Sequence, residues 1–228
     1  MIVYGKHIAE LVLLKHSEKI QTIYLAKEID KKLFQAFAKL NIPLLRVDSK
    51  KAQALAKGGN HQGYLLEISP LVPLEWNAIK TMQFVLVLCG VNDVGNLGAL
   101  FRSSYVLGVD GIVICGLKEL KQEGVLRASA GAMLDMPFAV VHNALDVANE
   151  LRLANFTLYG TNPKGTHLTQ IPKGKKALFL GNEGEGLGNR ILKKMDQNLA
   201  IPQKREFDSL NVSTAGAILI DRIMNGRY

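Results

Sequence analysis

Residues 84–90 read FVLVLCG, an unbroken apolar run that stops at a glycine, and the same kind of run returns at 111–116 (GIVICG) and 176–182 (KALFLGN). A strand with one wet face alternates polar and apolar positions. Runs without alternation are buried on both faces, the condition of a parallel sheet covered by helices. Helical patterns separate the runs, over 97–107, near 124–130, over 144–154 and over 210–224. Further strand-like pieces are MPFAVV (136–141), TLYGTN (157–162) and NLAIP (198–202). This alternation predicts an α/β fold with a parallel sheet.

Upstream the pattern is similar but shorter. Ile8, Leu11, Val12 and Lys15 lie on helical spacing, followed by QTIYLA (21–26) and an amphipathic helix around Leu33, Phe37 and Leu40. PLLRVD (43–48), KKAQALAK (50–57) and GYLLEI (63–68) then read as strand, helix and strand. SPLVPLEWN (69–77), with two prolines and no period, reads as a connector. The expected organisation is a small unit over 1–70, a linker over 71–80 and a larger unit over 81–228.

Of 228 residues, 48% are hydrophobic and 21% charged, which excludes a disordered or fibrous chain. Lys and Arg number 28 against 20 Asp and Glu, a net charge of +8 that favours a nucleic-acid partner. Residues 1–70 hold +5 of that charge. The small unit is therefore the more basic per residue, and it is expected to face the nucleic acid. Cys89 and Cys115 end apolar runs, with no CxxC or His-rich spacing beside them, so buried free thiols are expected and no metal site. No run approaches the roughly 20 residues that span a bilayer. Lys6, His7 and Glu10 interrupt the N-terminal apolar stretch, against a signal peptide. A cytoplasmic protein is expected.

Chemistry-bearing residues gather after strands of the larger unit, where open parallel sheets place their ligands. NDVGNLGALFR (92–102) carries Asn96 at a strand-to-helix turn and Arg102 about one helical turn beyond Gly98. GNEGEGLG (181–188) has four glycines in eight residues, enough for a ligand to approach the backbone, and two carboxylates, Glu183 and Glu185, suited to a cation. The dinucleotide template G-x-G-x-x-G fails there, because Asn189 stands three positions after Gly186. Ile201–Pro202 and SLNVS (209–213) form the third group. Ser209 is expected to cap the last helix, leaving Asn211 in its first turn for another purpose.

In this order the three groups closely resemble the SpoU (TrmH) family of S-adenosylmethionine-dependent RNA ribose 2'-O-methyltransferases. Asn96, Gly98, Ala99 and Arg102 match its first motif; Gly181, Asn182, Glu183, Gly184, Gly186 and Leu187 match its second. Ile201, Pro202, Ser209, Leu210, Asn211, Val212, Ser213 and Ala215 match its third. Tyr4–Lys6 and Asn60–Gly63 are similar to its small substrate-binding domain. The likeness is strongest to members that methylate a guanosine of large-subunit rRNA. The third motif departs from the usual Ile-Pro-Met followed by a glycine two positions on, since Gln203 and Arg205 stand there.

The resemblance implies a ribosomal-protein-like RNA-binding domain followed by a SPOUT-class catalytic domain with a deep trefoil knot, assembled as a homodimer. It implies S-adenosylmethionine held by the backbone of Gly181, Ile201 and Leu210, and a catalytic set of Asn96, Arg102, Glu183, Ser209 and Asn211. Arg102 would act as base, or would pin a phosphate and stabilise the developing alkoxide; a guanidinium keeps its proton to about pH 12 and beyond, which favours the second role. RNA rather than DNA is the partner, because DNA has no 2'-hydroxyl. Lys6, Lys31, Lys32, Lys50, Lys51 and Lys57 would hold its backbone. The rival readings are the same reaction on tRNA and a non-catalytic RNA-binding or ribosome-assembly protein of this fold.

Overall fold

The computed structural model describes residues 1–170, 173–205 and 209–226. Contacts divide the chain into two units, Met1–Val72 with Lys121–Leu134, and Pro73–Leu120 with Asp135–Tyr228.

The first unit is built on β1 (Ile2–Tyr4), α1 (Lys6–Lys15), β2 (Ile20–Leu25), α2 (Lys31–Ala38), β3 (Leu44–Arg46), α3 (Ser49–Leu55) and β4 (Tyr64–Ile68). Its sheet runs β1-β4-β2-β3, antiparallel except between β2 and β3. Asp30 and Asp48 cap α2 and α3 by accepting backbone N–H groups, as short polar side chains at helix starts do. Strand β1 escapes a sequence reading because three residues are too few to show a period. The segment Lys121–Leu134 belongs to this unit: α6 (Gln122–Ala128) packs on β1. Glu123 accepts from the Ile2 N–H at 3.0 Å and from Lys57 Nζ at 2.8 Å.

The second unit opens with α4 (Trp76–Ile79), a short helix inside the stretch expected to be an irregular connector. Trp76 and Ile79 anchor it to the core, and tertiary packing overrides the prolines that precede it. Then follow β5 (Phe84–Cys89), α5 (Val94–Leu107), β6 (Gly111–Cys115), β7 (Phe138–Val141), α7 (Ala144–Leu153), β8 (Thr157–Thr166), β9 (Lys176–Gly181), α8 (Asn189–Leu192), β10 (Gln197–Leu199) and α9 (Val212–Asn225). The sheet order is β10-β8-β9-β5-β6-β7, and every pair is parallel.

All six residues of β5 are buried, as its unbroken apolar sequence requires. One set of alternating residues, among them Val85, Val87 and Phe179, packs with Val147 and Leu151 of α7. On α9, Gly216 is needed for a close approach, since a Cβ there would lie 2.5 Å from Leu100 and 2.8 Å from Leu180. The topology fixes where function can sit. From β5 the chain moves outward to β6 and β7, then crosses back so that β9 lies on the other side of β5. The strand order reverses at the β5–β9 pair. In open α/β sheets the crevice beyond the C-terminal ends of strands at such a reversal is the ligand site.

Candidate active site

Beyond the C-terminal ends of β5 and β9 lie two turns that meet. After β5, Asp93 accepts the Asn96 N–H at 2.8 Å and so caps α5. Asn96 is therefore relieved of any capping duty and stands half-buried in the first turn. After β9, the chain folds back on itself: Gly186 N–H donates to Asn182 O at 3.1 Å, and Glu185 N–H to Asn182 Oδ1 at 2.7 Å. The turn is so tight that a Cβ on Gly181 would lie 2.0 Å from the Gly186 carbonyl carbon. Gly186 takes φ +65°, the left-handed region where a side chain is strained. Glycine density here builds the turn as well as opening the backbone.

The third element is the start of α9. Its cap is Asn211, not Ser209 as expected: Asn211 Oδ1 accepts the N–H groups of Ser213 at 2.9 Å and Thr214 at 3.3 Å, and the Ser213 hydroxyl at 2.6 Å. The helix begins two residues later than the hydrophobic pattern suggests. Asparagine caps as well as serine does, so sequence alone chooses poorly between them.

These three turns are joined by side chains. Asn96 Nδ2 donates to Glu183 Oε1 at 2.9 Å; Asn211 Nδ2 donates to the same oxygen at 2.6 Å and to Asn96 Oδ1 at 2.9 Å. Backbone N–H groups can only donate, so the Asn211 amide is oriented by the helix it caps. Its nitrogen must then face Glu183 and Asn96, which fixes the Asn96 amide in turn. Glu183 Oε2 and one Asn96 N–H are left for a ligand. Glu185 stays outside this network. Arg102 is exposed on α5, with no hydrogen bond or ion pair among the described residues. Six residues from Asn96, it leaves the helix on a different face and does not join the cluster.

Beside the network lies a cavity of about 580 Å³. Gly181, Glu183, Ile201, Ser209 and Leu210 all line it, so five of the residues singled out in sequence meet at one cavity. A smaller cavity of about 340 Å³ adjoins it across the Glu183 turn and includes Asp93 and Asn96. Sequence reasoning passed over Thr161, Asn162 and Pro163, which also line the larger cavity. Their one signal is a position at the end of the strand-like run TLYGTN (157–162). Among the described residues no cluster of His, Cys, Asp and Glu is arranged to hold a metal ion, and no helix is long and apolar enough to cross a membrane.

The donor set decides what the larger cavity can hold. Leu180, Leu199, Ala200, Ala215 and Leu219 give it apolar walls, and Glu183 and Glu185 give it negative charge. Among its described lining residues there is no Lys or Arg. That lining suits a flat apolar base joined to a cation and is poorly suited to a pyrophosphate. The volume lies within the range of small-molecule sites.

The fold and this crevice define an α/β protein with a ligand site at the strand-order reversal, and family comparison makes the class specific. Residues 83–221 match the model of the SpoU rRNA Methylase family, and residues 2–74 match that of the RNA 2'-O ribose methyltransferase substrate-binding domain. The chain belongs to the SpoU rRNA methylase family. It is 30% identical over 222 residues to an uncharacterized tRNA/rRNA methyltransferase of Borreliella burgdorferi, covering 88% of this chain and 96% of that one. It is 26% identical to the 23S rRNA (guanosine-2'-O-)-methyltransferase RlmB of Salmonella typhimurium, covering 96% of each. In fold it is similar to the AdoMet-bound rRNA methyltransferase of Sinorhizobium meliloti, with TM-score 0.77 and 22% identity over 100% of this chain and 87% of that one.

Proposed function

We propose that this protein is an S-adenosylmethionine-dependent RNA methyltransferase that methylates a ribose 2'-hydroxyl, with 23S rRNA as substrate and a guanosine as its target. The observation that carries the reading is the convergence of Asn96, Glu183 and Asn211, from three separate turns, beside a cavity walled by Gly181, Ile201 and Leu210. Relatives named as rRNA methyltransferases over nearly the whole chain, and solved AdoMet-bound proteins of the same fold, support it.

When bound, S-adenosylmethionine supplies a methyl group on a positively charged sulfur. The backbone of Gly181, Ile201 and Leu210 holds it in the larger cavity, with the apolar side chains around its base. Glu183, an acceptor fixed by two amide donors, places negative charge beside the cationic end. Asn96 and Asn211 hold that carboxylate in one orientation, and near-contact alignment of this kind supplies much of a transfer rate. Ser209, exposed at the cavity wall, orients the acceptor ribose. Arg102, on another face of α5 and with no side-chain partner among the described residues, reaches the site of a second copy in the homodimer, where it grips the phosphate next to the target and stabilises the alkoxide as the hydroxyl proton passes to water. The basic surface of residues 1–70 positions the RNA backbone.

The same reading includes a homodimer and a knotted C-terminal segment. Val106, 71% exposed one helical turn beyond Arg102 on α5, is available to a second copy. Incubation with methyl-labelled cofactor and separate pools of rRNA and tRNA, followed by nuclease mapping, tests the substrate. Label on a ribose of 23S rRNA is expected. Label in tRNA alone overturns the substrate, and tight cofactor binding without transfer to either pool supports the non-catalytic rival.

A further inference from the structure

We propose that Asn162 selects the nucleoside of the methyl donor, its side-chain Nδ2 donating a hydrogen bond to a ring nitrogen of the adenine. This rests on the assignment of the larger cavity to the donor.

Asn162 lies two residues beyond the last β8–β9 pair, Gly160 with Phe179, in the irregular stretch between the Gly160–Asn198 and Thr166–Leu199 pairs, and it lines the cavity together with Gly181. Its Oδ1 accepts the Lys164 N–H at 2.9 Å. A backbone N–H can only donate, so the amide cannot flip, and Nδ2 is turned away from the chain. Among the described residues nothing accepts from it, and the side chain is only half-buried. The other polar groups nearby are differently committed. Thr161 Oγ1 donates to Phe179 O at 3.3 Å, and Pro163 has no N–H to offer. Asn182 is held in the same way through Glu185 N–H, but its Nδ2 points toward Gly90.

The chemistry of the partner follows from the fixed donor. The cationic end of the cofactor belongs beside Glu183 and Glu185, so the base falls against the apolar wall of Leu180, Leu199 and Leu219. A donor held at that wall needs an acceptor on the edge of the base. Adenine offers its ring nitrogens, while its exocyclic amine is a donor. Asn162 is thus placed to distinguish a purine by the position of its ring nitrogens. The contact is made in the bound state before any methyl transfer.

Titration calorimetry of the full chain tests this with S-adenosylhomocysteine and with its analogues lacking N1, N3 or N7. Removal of one ring nitrogen should weaken binding to the unmodified protein about two- to tenfold, the worth of one neutral hydrogen bond. Asn162→Asp keeps the Oδ1 that serves Lys164 and replaces the donor by an acceptor. It should bind the parent compound about tenfold more weakly and respond no further to loss of that nitrogen. Asn162→Ala should show the same indifference without added charge. Equal responses of the unmodified protein and both variants to every analogue would overturn the proposal, and would point to the ribose as the partner. Ala215→Leu, which fills the cavity, separates the two levels. If it abolishes binding while Asn162→Asp is silent, the cavity assignment stands and the Asn162 contact fails. If it leaves affinity unchanged, the cavity assignment fails first.

Discussion

Asn211 Nδ2 lies 2.6 Å from Glu183 Oε1, while Oδ1 of the same side chain caps α9 through the Ser213 and Thr214 N–H groups. One amide therefore serves the stability of a helix and the geometry of a site, and its two ends can be tested apart. Asn211→Ser retains a capping oxygen and loses the amide donor. It should fold with nearly unchanged thermal stability and lose about a hundredfold in turnover, the usual effect of removing one oriented donor. Asn211→Ala should lose the turnover and about 1 kcal/mol of stability as well. Asn211→Asp keeps the cap but sets a carboxylate against Glu183, so its residual turnover should fall as pH rises. A normal rate for Asn211→Ser, measured with a saturating RNA substrate, would remove the network from the reaction.

Gly181 and Gly184 sit three residues apart in one turn and should respond oppositely to alanine. The added Cβ at Gly181 meets backbone at 2.0 Å, which cannot move aside as a side chain does. At Gly184 the nearest atom is 3.8 Å away, an ordinary contact. Gly181→Ala should cost about 3 kcal/mol in urea unfolding, with cofactor binding lost as the turn opens. Gly184→Ala should fall within about 0.5 kcal/mol of the unmodified protein.

How much of this was legible in sequence depends on the distance over which each feature is decided. The buried strands could be read because six apolar residues in a row, as at Phe84–Cys89, have few other uses. Asn96, Glu183 and Asn211 were marked by motif, but their mutual bonds span up to 115 residues of chain and exist only after folding. Capping failed locally: Ser209, Asn211, Asp93 and Asn96 are all good caps, and tertiary packing decides where each helix starts. Asn162 carried no signal of its own, since the Lys164 N–H that orients its amide is a contact made only in the folded turn. The return of Lys121–Leu134 to the first unit was likewise invisible, because nothing in a helical period names the partner it packs against.

The Glu123 carboxylate gives the first unit an acid-sensitive tie. Partial burial pushes this group upward, but the Lys57 hydrogen bond, the Ile2 N–H and the nearby positive charges outweigh it and hold it below the usual glutamate value. A carboxyl depressed in the folded state adds stability above its unfolded pKa of about 4.3 and loses it as pH falls through the folded value. Glu123→Gln should therefore be less stable at pH 7 by about 1 kcal/mol, the worth of one charge-assisted contact at a partly exposed site. The difference should vanish near pH 3. A gap in urea midpoint that stays constant between these conditions would assign the effect to packing instead.

Cys89 and Cys115 face each other in register across β5 and β6, both buried and both free. A hydrogen bond from the Cys89 thiol to Cys115, together with burial and the charge the neighbouring sulfur would carry, raises the Cys89 pKa well above its ordinary value. The unfolded thiol, near pKa 8.5, releases its proton first. Stability associated with this group is complete below that pH and declines as pH rises toward the folded pKa. The second unit should thus lose stability as pH rises above about 8.5, and Cys89→Val should flatten that slope while keeping the apolar volume. Because the thiolate is the reactive form, iodoacetamide should leave Cys89 unmodified at pH 8 in the native protein and label it in urea. Rapid native labelling, located by peptide mass, would show that the end of β5 opens to solvent far below the global unfolding free energy.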